Sequence, residues 1–203
     1  MLTVYQLKPR FQALLRPQVA RLAAVGVTAN QVTLAAAAGS VAISVLVAWL
    51  TEYRPLFILI ALWMPARMAL NAIDGMLARE FGQKSRLGAY LNELCDVIAD
   101  AALYFPFAAI WPFGAASVVT VIVLAMTSEY AGALGPMIGV ERQYQGPMGK
   151  SDRATVFGLL ALWVAVTRSL PDWLWWLMPV LAVLLVWTIV NRVRAGLAGR
   201  GPA

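Results

Sequence analysis

Apolar positions along this chain do not alternate; they gather into long runs separated by short polar breaks. Runs of mostly apolar residues, at or near the roughly 20 residues an α-helix needs to cross a hydrocarbon core of about 30 Å, recur at 30–50, 56–79, 87–110, 115–136, 152–167 and 173–191. Six transmembrane helices are therefore expected, the fifth being the shortest. The stretch before them has another pattern. In "MLTVYQLKPRFQALLRPQVARL", Tyr5, Leu7, Phe11, Leu14, Leu15 and Leu22 are interleaved with Lys8, Arg10, Arg16 and Arg21. That is the composition of a helix lying on anionic headgroups, broken or bent near Pro9 and Pro17; a flexible basic arm is the alternative. The expectation is one all-α integral membrane domain over 1–203, with an amphipathic juxtamembrane segment at 1–27, a six-helix bundle at 28–191 and a basic tail at 192–203.

Composition agrees with this pattern, since 61% of the 203 residues are hydrophobic and 13% charged, against about 25% charged in soluble domains. Threading six helices puts Lys8, Arg10, Arg16, Arg21, Arg79, Lys84, Arg86, Arg142, Lys150, Arg153, Arg192, Arg194 and Arg200 on one side. Only Arg54 and Arg168 fall on the other, and Arg67 lies within the second helix. Basic loops stay in the cytoplasm, so both termini are expected there. Tyr53, Trp111, Trp173, Trp175 and Trp176 fall near the opposite ends, as an interfacial aromatic belt would. Cys95 is the only cysteine, which excludes an internal disulfide. No short cleavable signal is read ahead of the first long run, and no nucleic-acid partner is expected.

Against this background the stretch "LNAIDGMLAREFGQKSRLGAYLNELCDVIAD" stands out, because it places Asp74, Glu93, Asp96, Asp100, Asn71 and Asn92 between apolar flanks. At about 100° per residue, Arg67, Asn71, Asp74 and Ala78 share one narrow face of the second helix, and Gly88, Asn92, Asp96 and Asp100 form a matching row on the third. The short turn between them makes the helices antiparallel, so the polar faces can meet at one depth near the cytoplasmic side. Carboxylates in apolar surroundings are paired or metal-bound. Arg79, Lys84 and Arg86 sit at the loop edge and are not expected to neutralise the set, whereas divalent cations held by oxygen ligands would, and Mg²⁺ favours phosphate substrates. The chain has no histidine, which removes Ser-His-Asp chemistry and leaves a carboxylate as the available general base. Lys150 and Arg153, at the expected start of a helix with Ser151 or Asp152 as cap, are read either as a site for an anionic acceptor or as ordinary topology anchors. Glu129, a further acid within an apolar run, has no assigned role.

The segment "NAIDGMLAREFGQKSRLGAYLNELCD" resembles the signature of the CDP-alcohol phosphotransferase (phosphatidyltransferase) family, D-x2-D-G-x2-A-R-x8-G-x3-D-x3-D. Asp74, Gly75, Ala78, Arg79, Gly88 and Asp96 match it in type and spacing, while Asn71 and Asn92 stand at its first and third acids. "VTANQVTLAA" is similar to the T-P-N-x-x-T entry of the family's first helix, and the chain looks closest to a bacterial inner-membrane branch sharing both asparagines. The resemblance implies transfer of a phosphatidyl group from CDP-diacylglycerol to an alcohol acceptor with release of CMP. It also implies Mg²⁺ or Mn²⁺ at Asn71, Asp74, Asn92 and Asp96, with Asp96 as the catalytic base. The nucleotide would lie against Asn30, Thr33, Gly75, Ala78, Arg79 and Gly88. Asparagine brings an oxygen without charge, so Glu93 and Asp100 are expected as compensating ligands. Lys150 and Arg153 would hold the acceptor, with a phosphorylated one such as glycerol 3-phosphate or an inositol phosphate in view. The partners are then the CDP-lipid, the acceptor and membrane lipids, and a homodimer is compatible with this reading. Two other classes stay open: a catalytically weak or silent CDP-lipid-binding relative, and a cation-coupled transporter, which also needs intramembrane acids.

Overall fold

Seven α-helices and four short 3-10 turns account for the fold of residues 4–199, which the computed structural model describes. The helices are α1 (Val4–Ala24), α2 (Ala29–Trp49), α3 (Phe57–Glu80), α4 (Arg86–Tyr104), α5 (Ala115–Ala133), α6 (Lys150–Val166) and α7 (Leu177–Leu197), with no strand among the described residues. Tyr5, Leu7, Lys8 and Arg10 of the expected amphipathic stripe and Arg200 of the expected tail lie outside the described side chains. Four helical stretches, Ala29–Trp49, Arg54–Glu80, Ala115–Ile138 and Asp172–Leu197, are long and apolar enough to cross a membrane. Between them stand α4, which carries Glu93, Asp96 and Asp100, and α6, which has 17 residues.

Local chemistry sets the helix ends. Thr28 caps α2 by accepting from Gln31 N at 3.2 Å while Gln31 Oε1 accepts from Thr28 N at 2.9 Å, a reciprocal box that satisfies two orphan donors. Ser85 caps α4 through Gly88 N at 2.9 Å, and Asp152 reaches back to Gly149 N at 3.0 Å to cap α6. The ends also differ from the apolar runs. α4 stops at Tyr104 and tightens into a 3-10 turn over Phe105–Ala109, because Pro106 has no N–H for an α-helical bond. α5 likewise gives way to Gly135–Ile138 around Pro136. The tryptophans before α7 form the 3-10 turn Asp172–Trp176, and α7 continues to Leu197 with Arg192 buried, so the bundle extends past the expected boundary at 191. α1 runs unbroken through Pro9 and Pro17; its second half is held by Val19, which packs with Val32, Ile73 and Leu77, and by Arg16, whose Nε and Nη2 reach Glu80 at 3.0 and 3.1 Å.

Around the bundle α2 lies against α3 and α4, α3 against α6, α4 against α5, and α5 against α7. The main apolar core, including Val47, Phe57, Ile60, Leu103, Phe107, Leu160 and Met178, fills the part of the bundle away from the α3–α4 turn. It is bounded by an aromatic layer in which Tyr104 stacks on Phe157 at 3.8 Å and Phe107 meets Phe157 edge-on at 5.3 Å. Beyond that layer, toward the α3–α4 turn, the interior becomes ionic. The outside is apolar, with Leu34, Val45, Leu62, Val123, Val183 and Trp187 exposed, as expected of a protein whose solvent is a bilayer.

The α2–α3 contact turns on Gly39. Trp63 donates its Nε1 hydrogen to Ser40 Oγ at 2.9 Å, and a Cβ at position 39 would lie 2.5 Å from the indole ring. Gly39→Ala should destabilise the bundle by roughly 1–3 kcal/mol, the usual cost of overpacking, and lower the melting temperature measured in detergent. Gly158→Ala, whose new Cβ would meet Met64 at an ordinary 3.4 Å, should be close to neutral in the same thermal scan.

Candidate active site

Three helix ends converge on the α3–α4 turn and bring the signature residues together. Gln83 in the turn accepts from Ala29 N at 2.6 Å and donates to Val27 O at 3.3 Å, tying the turn to the start of α2. Asn30 of α2 then faces Gly88 of α4: a Cβ at 88 would lie 2.8 Å from Asn30 Oδ1. Thr33, one turn on, lies 2.8 Å from Asp74 Oδ2 and 3.0 Å from Ala29 O, its single hydroxyl hydrogen shared between them. The Arg79 side chain folds over Gly75, where a Cβ would come within 2.9 Å of Nη2. Ala78 packs on the α1–α2–α3 cluster. The expected nucleotide residues thus occupy one mouth of the bundle, with Asp74 buried beneath it.

On the α4 side Asp96 is half-buried and held at both oxygens. Its Oδ1 accepts from Asn71 Nδ2 and Arg67 Nη2, each at 3.3 Å, and its Oδ2 is paired with Lys150. Asn71 of α3 and Asp96 of α4 therefore meet across the helix pair, as the facing polar stripes predict. Asn92 is half-buried one turn before Asp96.

The remaining acids have other partners. Asp100, one turn below Asp96, is buried with Oδ1 paired to Arg67 and Oδ2 accepting from Arg153 Nη2 at 3.0 Å. Glu93 pairs with Arg142. Both were expected as compensating metal ligands, but Asp100 has each oxygen engaged by a guanidinium. Arg153 lies in the core, 1% exposed, rather than at an accessible helix start. Its Nη2 also donates to Glu129 Oε1 at 2.9 Å, and Glu129 in turn accepts from Arg142 Nη2 at 2.8 Å and lies 3.4 Å from Arg192 Nη1. Glu93, Asp96, Asp100 and Glu129 are thus neutralised by cations from across the fold, Arg67, Arg142, Lys150, Arg153 and Arg192, and not by the nearby Arg79, Lys84 and Arg86, while Asp74 is held by Thr33.

Two close approaches seat the segment that delivers Arg142 and Lys150. Gln143 N donates to Gly132 O at 3.0 Å, where a Cβ on Gly132 would lie 2.5 Å from Gln143 O. Gly146, at φ 128°, lies against Thr188, whose hydroxyl accepts from Met148 N at 3.0 Å. Arg142, Gln143, Thr188 and Arg192 were not read as site residues. The available signal was Glu129 itself, since an acid inside an apolar run requires a partner.

Among the described residues no three acids or cysteines gather as a metal site. The donor types nevertheless suit a hard cation: Asp74, Asp96 and the amide groups of Asn71 and Asn92 all offer oxygens, and Asn71 reaches Asp96 through its Nδ2.

The family model for CDP-alcohol phosphatidyltransferase matches residues 26–189. The inner membrane protein YnbA of Escherichia coli (strain K12) is 46% identical over 197 residues, covering 96% of each chain. A phosphatidylinositol phosphate synthase of Streptomyces avermitilis is 28% identical, over 79% of this chain and 75% of its own. Crystal structures of the phosphatidylinositol phosphate synthase of Mycobacterium tuberculosis superpose on the fold. The one with CDP-DAG bound has a TM-score of 0.73 at 24% identity, covering 89% of this chain and 92% of that one. The one with manganese and citrate has a TM-score of 0.71 at 25% identity, covering 89% and 88%. A signature gathered at one mouth of an all-helical bundle, matched by the family model over most of the chain, places this protein in the CDP-alcohol phosphatidyltransferase family, as an enzyme of phospholipid biosynthesis.

Proposed function

We propose that the protein transfers the phosphatidyl group of CDP-diacylglycerol to the hydroxyl of an alcohol acceptor and releases CMP, at the cytoplasmic face of a bacterial inner membrane. The observation that carries this reading is the convergence of Asn30 on Gly88, Thr33 on Asp74 and Arg79 on Gly75 beside Asp96. Glycines at 75 and 88 let a flat, charged nucleotide approach the helix backbones. The basic residues on the connections that end α3, begin α4 and begin α6 support six spans with both termini in the cytoplasm.

The reaction joins the acceptor oxygen to the lipid-linked phosphorus and breaks that phosphorus's bond to the bridging oxygen, which leaves on CMP. The acceptor proton goes to Asp96. Arg67 and Asn71 fix Asp96 Oδ1, so Oδ2, on the Lys150 side, is the oxygen that turns to the acceptor. Thr33 orients Asp74. Asp74, Asp96, Asn71 and Asn92 would hold Mg²⁺ or Mn²⁺, which neutralises the pyrophosphate charge when bound. The protein's own part is to align donor and acceptor and to exclude water, since its apolar surface keeps the diacyl chains in the bilayer.

A second reading, a silent CDP-lipid-binding relative, is favoured by the loss of two carboxylates at Asn71 and Asn92. CMP release from CDP-diacylglycerol with a panel of alcohols separates the two: turnover supports transfer, and donor binding without turnover with any alcohol supports the silent relative. Under the transfer reading, Asp96→Asn should reduce CMP release by roughly 10²–10⁴-fold, the usual contribution of a general base, with donor affinity largely kept. Wild-type rates in this variant would remove Asp96 from the base role. Asn71→Asp with Asn92→Asp should tighten Mn²⁺ binding measured by calorimetric titration, because each adds a charged oxygen ligand; unchanged binding would take both positions out of the metal set.

A further inference from the structure

We propose that Glu129 sets the acceptor class: by neutralising Arg142, Arg153 and Arg192 from within the protein, it commits the site to an uncharged polyol that carries no phosphate. The inference rests on the transfer reading for the location of the acceptor, beside Asp96, and adds the chemistry that the acceptor must have.

Lys150 and Arg153 lie one turn apart on α6; Lys150 pairs with the proposed base Asp96, as Arg67 does, and Arg153 pairs with Asp100 one turn below. A phosphate on the acceptor would be recognised by such groups through charge-assisted bonds from several donors at once. That role is already filled. Glu129, 7% exposed, takes Arg153 on Oε1 at 2.9 Å, Arg192 on the same oxygen at 3.4 Å and Arg142 on Oε2 at 2.8 Å. An anion fixed to α5 competes as an intramolecular ligand, at an effective concentration about millimolar or above. Charge leads to the same conclusion. Each of Arg67, Arg142, Lys150, Arg153 and Arg192 is already paired with a carboxylate, Glu93, Asp96, Asp100 or Glu129, so none of the five stands unpaired to receive a phosphate.

An acceptor made only of hydroxyls, each both donor and acceptor, binds by hydrogen bonds and asks for no unpaired cation.

The test uses the full-length enzyme in detergent with CDP-diacylglycerol and Mn²⁺, comparing glycerol with glycerol 3-phosphate and myo-inositol with its 1-phosphate by CMP release. In a parallel experiment inorganic phosphate is titrated into wild type and Glu129→Gln. The proposal expects the unphosphorylated member of at least one pair to react faster by about tenfold or more. It also expects wild type to show no saturable phosphate binding, with saturable binding appearing in Glu129→Gln. Faster turnover of the phosphorylated members, or phosphate bound as tightly by wild type as by the variant, overturns it. If none of the four alcohols releases CMP, the transfer reading loses support, and the phosphate titration still decides the role of Glu129. If Glu129→Gln does not fold, the wild-type titration decides alone, and saturable phosphate binding there overturns the proposal.

Discussion

The guanidinium of Arg153 is the point on which the interior of this protein is organised. It is 1% exposed and bridges Asp100 of α4 to Glu129 of α5. A charge buried alone costs several kcal/mol, and removing one partner of a buried pair costs about 3–5 kcal/mol. The helices must therefore take the register in which every one of these charges finds its counterpart. Arg67 carries the constraint to α3, and Arg192, which also donates to Ser128 O at 2.5 Å, carries it to α7. Five helices are aligned by side chains that individually would be liabilities in a membrane.

That alignment is what places the chemistry. Asp96 lies one helical turn from Asp100, so the pair that fixes Asp100 also fixes the depth and direction of the proposed base. Arg67 grips both acids at once. The apolar core and the Tyr104–Phe157 stack close off one side of the ionic layer. The other side is left to the converging ends of α2, α3 and α4, where Asn30 meets Gly88 and Thr33 meets Asp74. In the proposed reaction the rigid ionic packing below would hold the acceptor end and the mouth above, between Gly75 and Gly88, would admit the nucleotide.

What was legible in the sequence was what local spacing decides. The i, i+3 stripe through Asn71 and Asp74 on one helix and the i, i+4 row through Asn92 and Asp96 on the next required only the helical repeat and a short turn, and Asn71 and Asp96 do meet. Helix limits were readable to within a few residues except where a proline or a tryptophan-rich turn changed the hydrogen-bonding pattern, at Pro106, Pro136 and Trp173–Trp176, and at the end of α7, which runs on to Leu197 with Arg192 buried. The ion pairs were not readable, because Arg153 lies 53 positions from Asp100 and 24 from Glu129. An angle on a helical wheel says that Glu93, Asp96 and Asp100 share a side. It does not say which neighbouring helix each will face, and here Glu93 meets Arg142, Asp96 meets Lys150 and Asp100 meets Arg153.

The central claim, that the Arg153–Asp100 pair sets the register of the bundle, is tested most directly by a double-mutant cycle on thermal stability in detergent with Arg153→Met, Asp100→Asn and the two combined. Each single change strands a buried partner, so each should be strongly destabilising. Together they remove the charge and its counterpart, and the combined loss should fall well short of the sum, by about 1–3 kcal/mol of coupling as for residues in direct contact. Additive losses would contradict the account and would mean that the register is held by apolar packing alone.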